Sequence, residues 1–302
     1  TEVTSMKKNN TIRGYMLAIL GGVSWGISGV CSQYLFMKYE VSADWLTAVR
    51  MLLSGILLLM LALQREHMRV FKIWKERKDV VWLIAFGLAG LLLCQYTFLA
   101  AIKYSNSATA TVLQSLNVVL MAIVMSVWNK KRMSKIQIAA IILAISGTYL
   151  IATKGNPMSI DISAKGLTFG ILAAVGVVVY TLLSRPIIAS WGNLTITGWG
   201  MLIGGMVLFV VTRAWIFPTN LDFPAWIIIA VIVIIGTAVG FSVFLESVKY
   251  IGPVKSTLLG CLEPASATIL SALVLGTRFT VVELIGFVLV VGTVFLSVST
   301  KE

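Results

Sequence analysis

The sequence predicts an all-α polytopic membrane protein of ten transmembrane helices arranged as two inverted five-helix repeats. Three observations carry that expectation: a composition too apolar for a soluble core, apolar runs that recur at membrane-spanning length, and a gap-free match between the two halves of the chain. Of 302 residues, 58% are hydrophobic and 12% charged, against roughly 45–50% and 25% in soluble domains. A soluble fold cannot hide that much apolar side chain. The 25 glycines and six prolines suit membrane helices, where small residues allow close backbone approach.

Runs of the roughly 17–25 residues needed to cross a hydrocarbon core lie at 14–36, 45–63, 80–102, 107–128, 136–152, 166–183, 194–217, 225–248, 254–275 and 281–299. None alternates as a membrane barrel strand would, so helices satisfy the backbone. The first run is too long for a secretory signal and lacks a small-residue cleavage site. The expected organisation is an N-terminal tail at 1–13, a first repeat at 14–152, an external linker at 153–165 and a second repeat at 166–300. Residues 1–5 precede Met6, which reads as the initiator, and stand outside the fold argument.

Basic residues set the orientation. Lys7, Lys8 and Arg13 precede the first run; Arg65, Arg69, Lys72, Lys75, Arg77 and Lys78 follow the second; Lys130, Lys131, Arg132 and Lys135 follow the fourth. These regions are expected in the cytoplasm, with both termini. Lys38 and Lys103 are the basic residues between the other runs of the first half. The net charge of +12 is therefore mainly a topology signal, and no nucleic-acid partner is expected. The segment 64–79, with Met68, Phe71, Ile73 and Trp74 among its charges, reads equally as an element lying on anionic lipid or as a solvated loop.

Residues 101–127 pair with 247–273 without a gap: Lys103-Tyr104 falls on Lys249-Tyr250, Thr111 on Thr257, Leu113 on Leu259, Leu116 on Leu262 and Ile123 on Ile269. After a one-residue adjustment, Gly147-Thr148 falls on Gly292-Thr293. Five helices per copy is an odd number, which inverts the second copy. The loop at 129–135 holds four basic residues and its counterpart at 275–281 only Arg278, as loops on opposite faces should. An old duplication in a membrane protein of another function is the competing reading.

The run Leu262-Glu263-Pro264-Ala265-Ser266-Ala267-Thr268, then Leu275-Gly276 and Glu283-Leu284-Ile285-Gly286, with Trp25-Gly26 and Arg50 in the first half, resembles the EamA-like members of the drug/metabolite transporter superfamily. That resemblance implies ten helices around a central cavity in a bacterial inner membrane. It also implies alternating access and movement, often export, of small organic metabolites such as amino acids, nucleobase-like compounds, amines or drug-like cations. Asn117-Val118 stands where a proline motif is expected, and Thr277 where the family usually has glutamate.

Polar side chains within apolar runs nominate the site, because a charge at the centre of a membrane helix costs about 2.5–3.5 kcal/mol on insertion scales. Glu263 leads: a carboxylate there either alternates between a proton and substrate or pairs with a neighbouring helix as structural glue. Asn117 is its repeat counterpart. Pro264 is expected to kink the helix and free a carbonyl. Gln95, Tyr96, Gln114, Trp25, Tyr180 and Trp199 are candidates for a polar and aromatic cavity, each with helix packing as the alternative. Glu246 and Lys249, three apart, are expected to pair on one helix face, and Arg50 to snorkel.

The single histidine, His67, lies in a charged loop; Cys31, Cys94 and Cys261 lack CxxC spacing; and no HExxH, GxSxG or phosphate-binding loop occurs. No metal, cofactor or enzymatic reaction is expected. The energy source is then a gradient of solute or protons, in a monomer or homodimer contacting membrane lipids. A passive channel and a receptor without flux are the rival classes.

Overall fold

The computed structural model describes residues 2–130, 133–153, 156, 163–216, 218, 220–260 and 262–298. Lys131, Arg132, Cys261 and most of the expected linker lie outside them. The described residues form helices and connecting turns, with no strand among them.

Helix α1 (Glu2–Tyr39) starts well before position 14; no glycine or proline interrupts 2–13, so each added residue extends the ladder by one hydrogen bond. Helix α2 (Ala43–Glu66) opens on Ser42, whose hydroxyl accepts from the Trp45 amide, a cap that satisfies an orphan donor. A short turn of helix at Arg69–Lys72 leads to α3 (Arg77–Tyr104) and α4 (Ser107–Asn129). Asn106 caps α4 through Thr109 N–H at 2.8 Å. Then come α5 (Lys135–Thr153), α6 (Ala164–Trp191), α7 (Asn193–Val211) and α8 (Phe223–Thr257). The last two are α9 (Leu262–Leu275) and α10 (Val281–Val298). A reciprocal capping box starts α10: Thr280 N–H donates to the Glu283 carboxylate at 2.6 Å, and Glu283 N–H to the Thr280 hydroxyl at 3.2 Å.

Among the described residues, seven helices, α1–α4 and α6–α8, are long and apolar enough to cross a membrane; Ile138–Leu150 within α5, and α9, are shorter apolar helices. Helix α8 breaks at Gly252, whose φ of 79° and ψ of 166° are not helical. Pro253 follows and supplies no amide donor. The expected run at 254–275 therefore begins inside what is otherwise one stretch of helix. Helix α7 ends at Val211, short of the expected 217, where the chain turns and Arg213 takes φ 53°.

Packing is reciprocal between the two halves. Helix α1 lies against α8 and α9, while α6 lies against α3 and α4; α2 packs on α7, α4 on α9 and α5 on α10. Replacing each of the first five helices by its counterpart in the second five returns the same set of neighbours. Helices α3 and α8 each contain a π-helical stretch, Phe86–Leu92 and Ile232–Val239. Their first residues are separated by the same interval as Lys103 and Lys249.

Glycines make the helix contacts tight. A Cβ on Gly176 would lie 2.6 Å from Cys94 Cα, one on Gly22 would lie 3.1 Å from the Gly260 carbonyl, and one on Gly87 would lie 2.8 Å from the Gly200 carbonyl. Backbone thus meets backbone, as expected for small-residue helix contacts.

Candidate functional site

Seven helices send side chains into one cleft: Trp25 and Ser28 from α1, Arg50 from α2, Cys94, Gln95 and Phe98 from α3, Gln114 from α4, Tyr180 from α6, Phe241 from α8 and Glu263 from α9. It spans about 310 Å³ of space between and beside the protein atoms, with room inside for about one water. An adjoining space of about 270 Å³ shares Trp25, Gln114 and Glu263 and adds Asn117, Ser115 and Thr257.

Local structure explains how these groups arrive there. Helix α4 is interrupted at Ser115 and Leu116, between Ser107–Gln114 and Asn117–Asn129. Asn117 Nδ2 donates to the Gln114 carbonyl across that interruption at 2.6 Å, and Gln114 Nε2 reaches Cys94 Sγ at 3.4 Å. Pro264 lies in the first turn of α9, where a missing N–H is tolerated. Trp25 stacks obliquely on Phe241 and Phe244, with ring centroids 5.0 and 4.8 Å apart, and Tyr180 lies 5.5 Å from Phe241. One wall of the cleft is therefore aromatic.

The opposite character comes from Arg50 and Glu263, buried at 3% and 6% exposure. Arg50 Nη2 donates to the Gln95 carbonyl at 2.8 Å, while its Nε has no partner. Among the described residues, no ion pair within 4.0 Å joins Arg50 to Glu263. Trp25 Nε1, Ser28 Oγ, both side-chain atoms of Gln95, and Asn117 Oδ1 are likewise buried without a hydrogen-bond partner. A buried unsatisfied polar group costs about 1–3 kcal/mol. So many around one cleft mark a place built for something polar.

Six of the eight expected cavity residues, Glu263, Asn117, Gln114, Gln95, Trp25 and Tyr180, line these two spaces. Two do not. Tyr96 packs its ring against Phe169 at 6.0 Å, on a face of α3 that does not line the cleft. Trp199 donates from Nε1 to the Val70 carbonyl at 3.0 Å and packs edge-on against Trp74 at 5.1 Å, tying α7 to the basic segment. Lys249 Nζ lies 3.8 Å from Glu246 Oε1, on a part-exposed helix face away from the cleft. The sequence reading missed Arg50 as a cleft residue; an arginine flanked by Val49 and Met51 in an otherwise uncharged stretch was the available signal. Cys31 and Cys94 are free thiols, and no cluster of metal-ligating side chains occurs among the described residues.

Fold and site together define a class: a polytopic helical membrane protein that encloses a charged, partly aromatic cleft. The profile of the EamA-like transporter family matches residues 12–153 and 164–299, and the chain belongs to that family. It is 35% identical over 291 residues to the uncharacterized inner membrane transporter YicL of Salmonella typhimurium, covering 95% of each chain. It is 29% identical over 220 residues to the uncharacterized transporter YyaM of Bacillus subtilis, covering 71% of this chain and 72% of that one. A solved crystal structure superposes with a TM-score of 0.68 over 96% of both chains at 16% identity; the likeness is one of fold.

Proposed function

We propose that this transporter moves a small polar organic metabolite across the cytoplasmic membrane by alternating access, as a secondary-active carrier or exchanger. The observation that carries the reading is the set of unpartnered buried polar atoms around one basic and one acidic side chain, Arg50 and Glu263. A solute with an anionic group for Arg50 and a cationic or donor group for Glu263 would complete those hydrogen bonds, and the Trp25–Tyr180 wall would seat its apolar part. Amino acids match both charges; simple quaternary amines match only Glu263.

Ten membrane spans follow if the part of α8 beyond Gly252 is counted with α9 and α5 and α10 are each counted as one. The reciprocal packing and the two π stretches in equivalent register support inverted five-helix repeats with the cleft between them. The basic loops then lie in the cytoplasm with both termini, and the naming of YicL supports an inner-membrane location. The family resemblance favours export.

A ligand screen by thermal shift against amino acids, nucleobases, amines and quaternary cations identifies candidates, because binding to the folded state stabilises it by mass action. Proteoliposomes loaded with a stabilising compound are then expected to show saturable uptake of labelled compound by counterflow. Flux that rises linearly without saturation would replace the carrier by a pore, and binding without flux would replace it by a receptor.

A further inference from the structure

The two ends of the helix bundle carry matching contacts. At one end Tyr39, the last residue of α1, donates its hydroxyl to Asp222 Oδ1 at 2.6 Å; Asp222 is the N-cap of α8. At the other end Trp191, the last residue of α6, donates Nε1–H to Asp79 Oδ2 at 2.7 Å; Asp79 is in the first turn of α3. Tyr39 and Trp191 are separated by the same interval as the starts of the two family-matched stretches, 12 and 164. Each is followed by a residue with positive φ, Glu40 at 52° and Gly192 at 78°. The acids come from the same turn of counterpart helices, although the register partner of Asp222 is Glu76 and not Asp79. Each contact has a second pin beside it: Lys103 Nζ to the Val41 carbonyl at 3.3 Å, and Arg69 Nη2 to the Ser190 carbonyl at 2.9 Å.

In both cases an aromatic donor at a helix end grips a carboxylate at the start of the helix that crosses it. A bond to an ionised acceptor is stronger and shorter than a neutral one, and both donors are single, directional N–H or O–H groups. The polypeptide builds this arrangement twice with different aromatic residues, on elements that the inverted-repeat reading places on opposite membrane faces. The central cleft between them has room for about one water.

We propose that Tyr39–Asp222 and Trp191–Asp79 are paired latches, one per membrane face, and that each must release for the cleft to open to its side. This rests on the alternating-access reading above. With both bonds made, as here, the transporter is occluded; breaking one exposes the cleft externally, breaking the other exposes it to the cytoplasm.

Cys94 lines the cleft and is buried, so it reports opening. The test uses the full chain with Cys31 and Cys261 replaced by alanine, in right-side-out and inverted vesicles, and a charged, membrane-impermeant methanethiosulfonate as probe. Tyr39→Phe is expected to raise the modification rate of Cys94 roughly five-fold from outside only, and Trp191→Phe roughly five-fold from inside only. Asp222→Asn, which keeps an N-cap side chain, and Asp79→Asn should reproduce their partners' effects, so one poorly folding variant does not decide the matter. Unchanged rates in all four variants, or increases from the same side at both latches, overturn the proposal. In the double variant Tyr39→Phe/Trp191→Phe, alternation predicts faster modification from both sides without leakage of an entrapped dye of the probe's size. Dye leakage with both single effects intact would mean that the latches hold while the alternating-access reading fails.

Discussion

Replacing Gly90 by alanine inserts one methyl group between α3 and α6 at a cleft residue. Its Cβ would lie 2.8 Å from both Cα and Cβ of Tyr180 and 3.2 Å from the Tyr180 amide nitrogen, whereas carbon atoms pack at about 3.5–4.0 Å. Tyr180 is fully buried and cannot swing aside, so the helices must part by roughly 0.7–1 Å to restore contact distance. Overpacking of this kind costs about 1–3 kcal/mol. Gly292→Ala in α10 is the matched control, since among the described residues nothing lies within 4 Å of its Cβ position. Both substitutions gain the helix preference of alanine, up to about 1 kcal/mol, so the difference between them isolates the contact. Unfolding followed in one detergent should rank Gly292→Ala at or above the parent and Gly90→Ala below it by about 1–3 kcal/mol. Ligand affinity should fall with the displaced Tyr180. Equal stability and equal affinity for the two variants would show that α3 and α6 do not meet as described.

Glu263→Gln keeps the side-chain shape but not its charge; it should abolish concentrative uptake and flatten its pH dependence while the protein stays folded, and normal transport with lowered stability would make Glu263 structural glue instead. Asn117→Ala should weaken ligand binding by only about 0.5–1.5 kcal/mol, the net worth of a neutral hydrogen bond, as read by titration calorimetry. The Tyr39 hydroxyl, and then the Ala225 amide, hold the Asp222 carboxyl below the ordinary carboxylate range. A depressed folded-state value means the contact contributes fully above about pH 4 and is lost as external pH falls through the lowered value. Lys38 lies 4.9 Å over the Tyr39 ring and Lys103 holds the nearby Val41 carbonyl. Because the probe reacts with the thiolate, the rate at Cys94 is taken relative to an exposed cysteine at the same pH; that ratio from outside should rise only in strong acid, and a midpoint near neutrality would contradict the assignment. Single cysteines at positions 156 and 190 should label from outside and inside respectively, and labelling of both from one face would break the inverted topology.

Apolar run length exposed the helices, because lipid leaves the backbone no partner but itself, and the break at Gly252 fell between two expected runs. Helix ends were less legible: nothing in the polar tail before Gly14 stops α1, since charge alone does not break a helix. Within the site, Gln95 and Tyr96 show the limit. Adjacent residues on a helix point about 100° apart; the cleft takes Cys94 and Gln95 and leaves Tyr96 outside, a boundary the sequence does not mark. Arg50 reaches the Gln95 carbonyl across 45 positions of chain, a contact that no local pattern records. The latch aromatics were invisible for the same reason, since each meets an acid more than a hundred residues away.

The π stretches in α3 and α8 also carry a history. A π turn is commonly an α-helix with one residue too many, and both halves hold the surplus at the same register. On the repeat reading, the insertion is older than the duplication that joined the halves, and neither copy has since shed it. Removing one residue from 86–92 would reverse that event in a single half. Closing that turn would move the segment from Leu93 onward against the rest of α3, so that Cys94, Gln95 and Phe98 would shift together relative to the cleft.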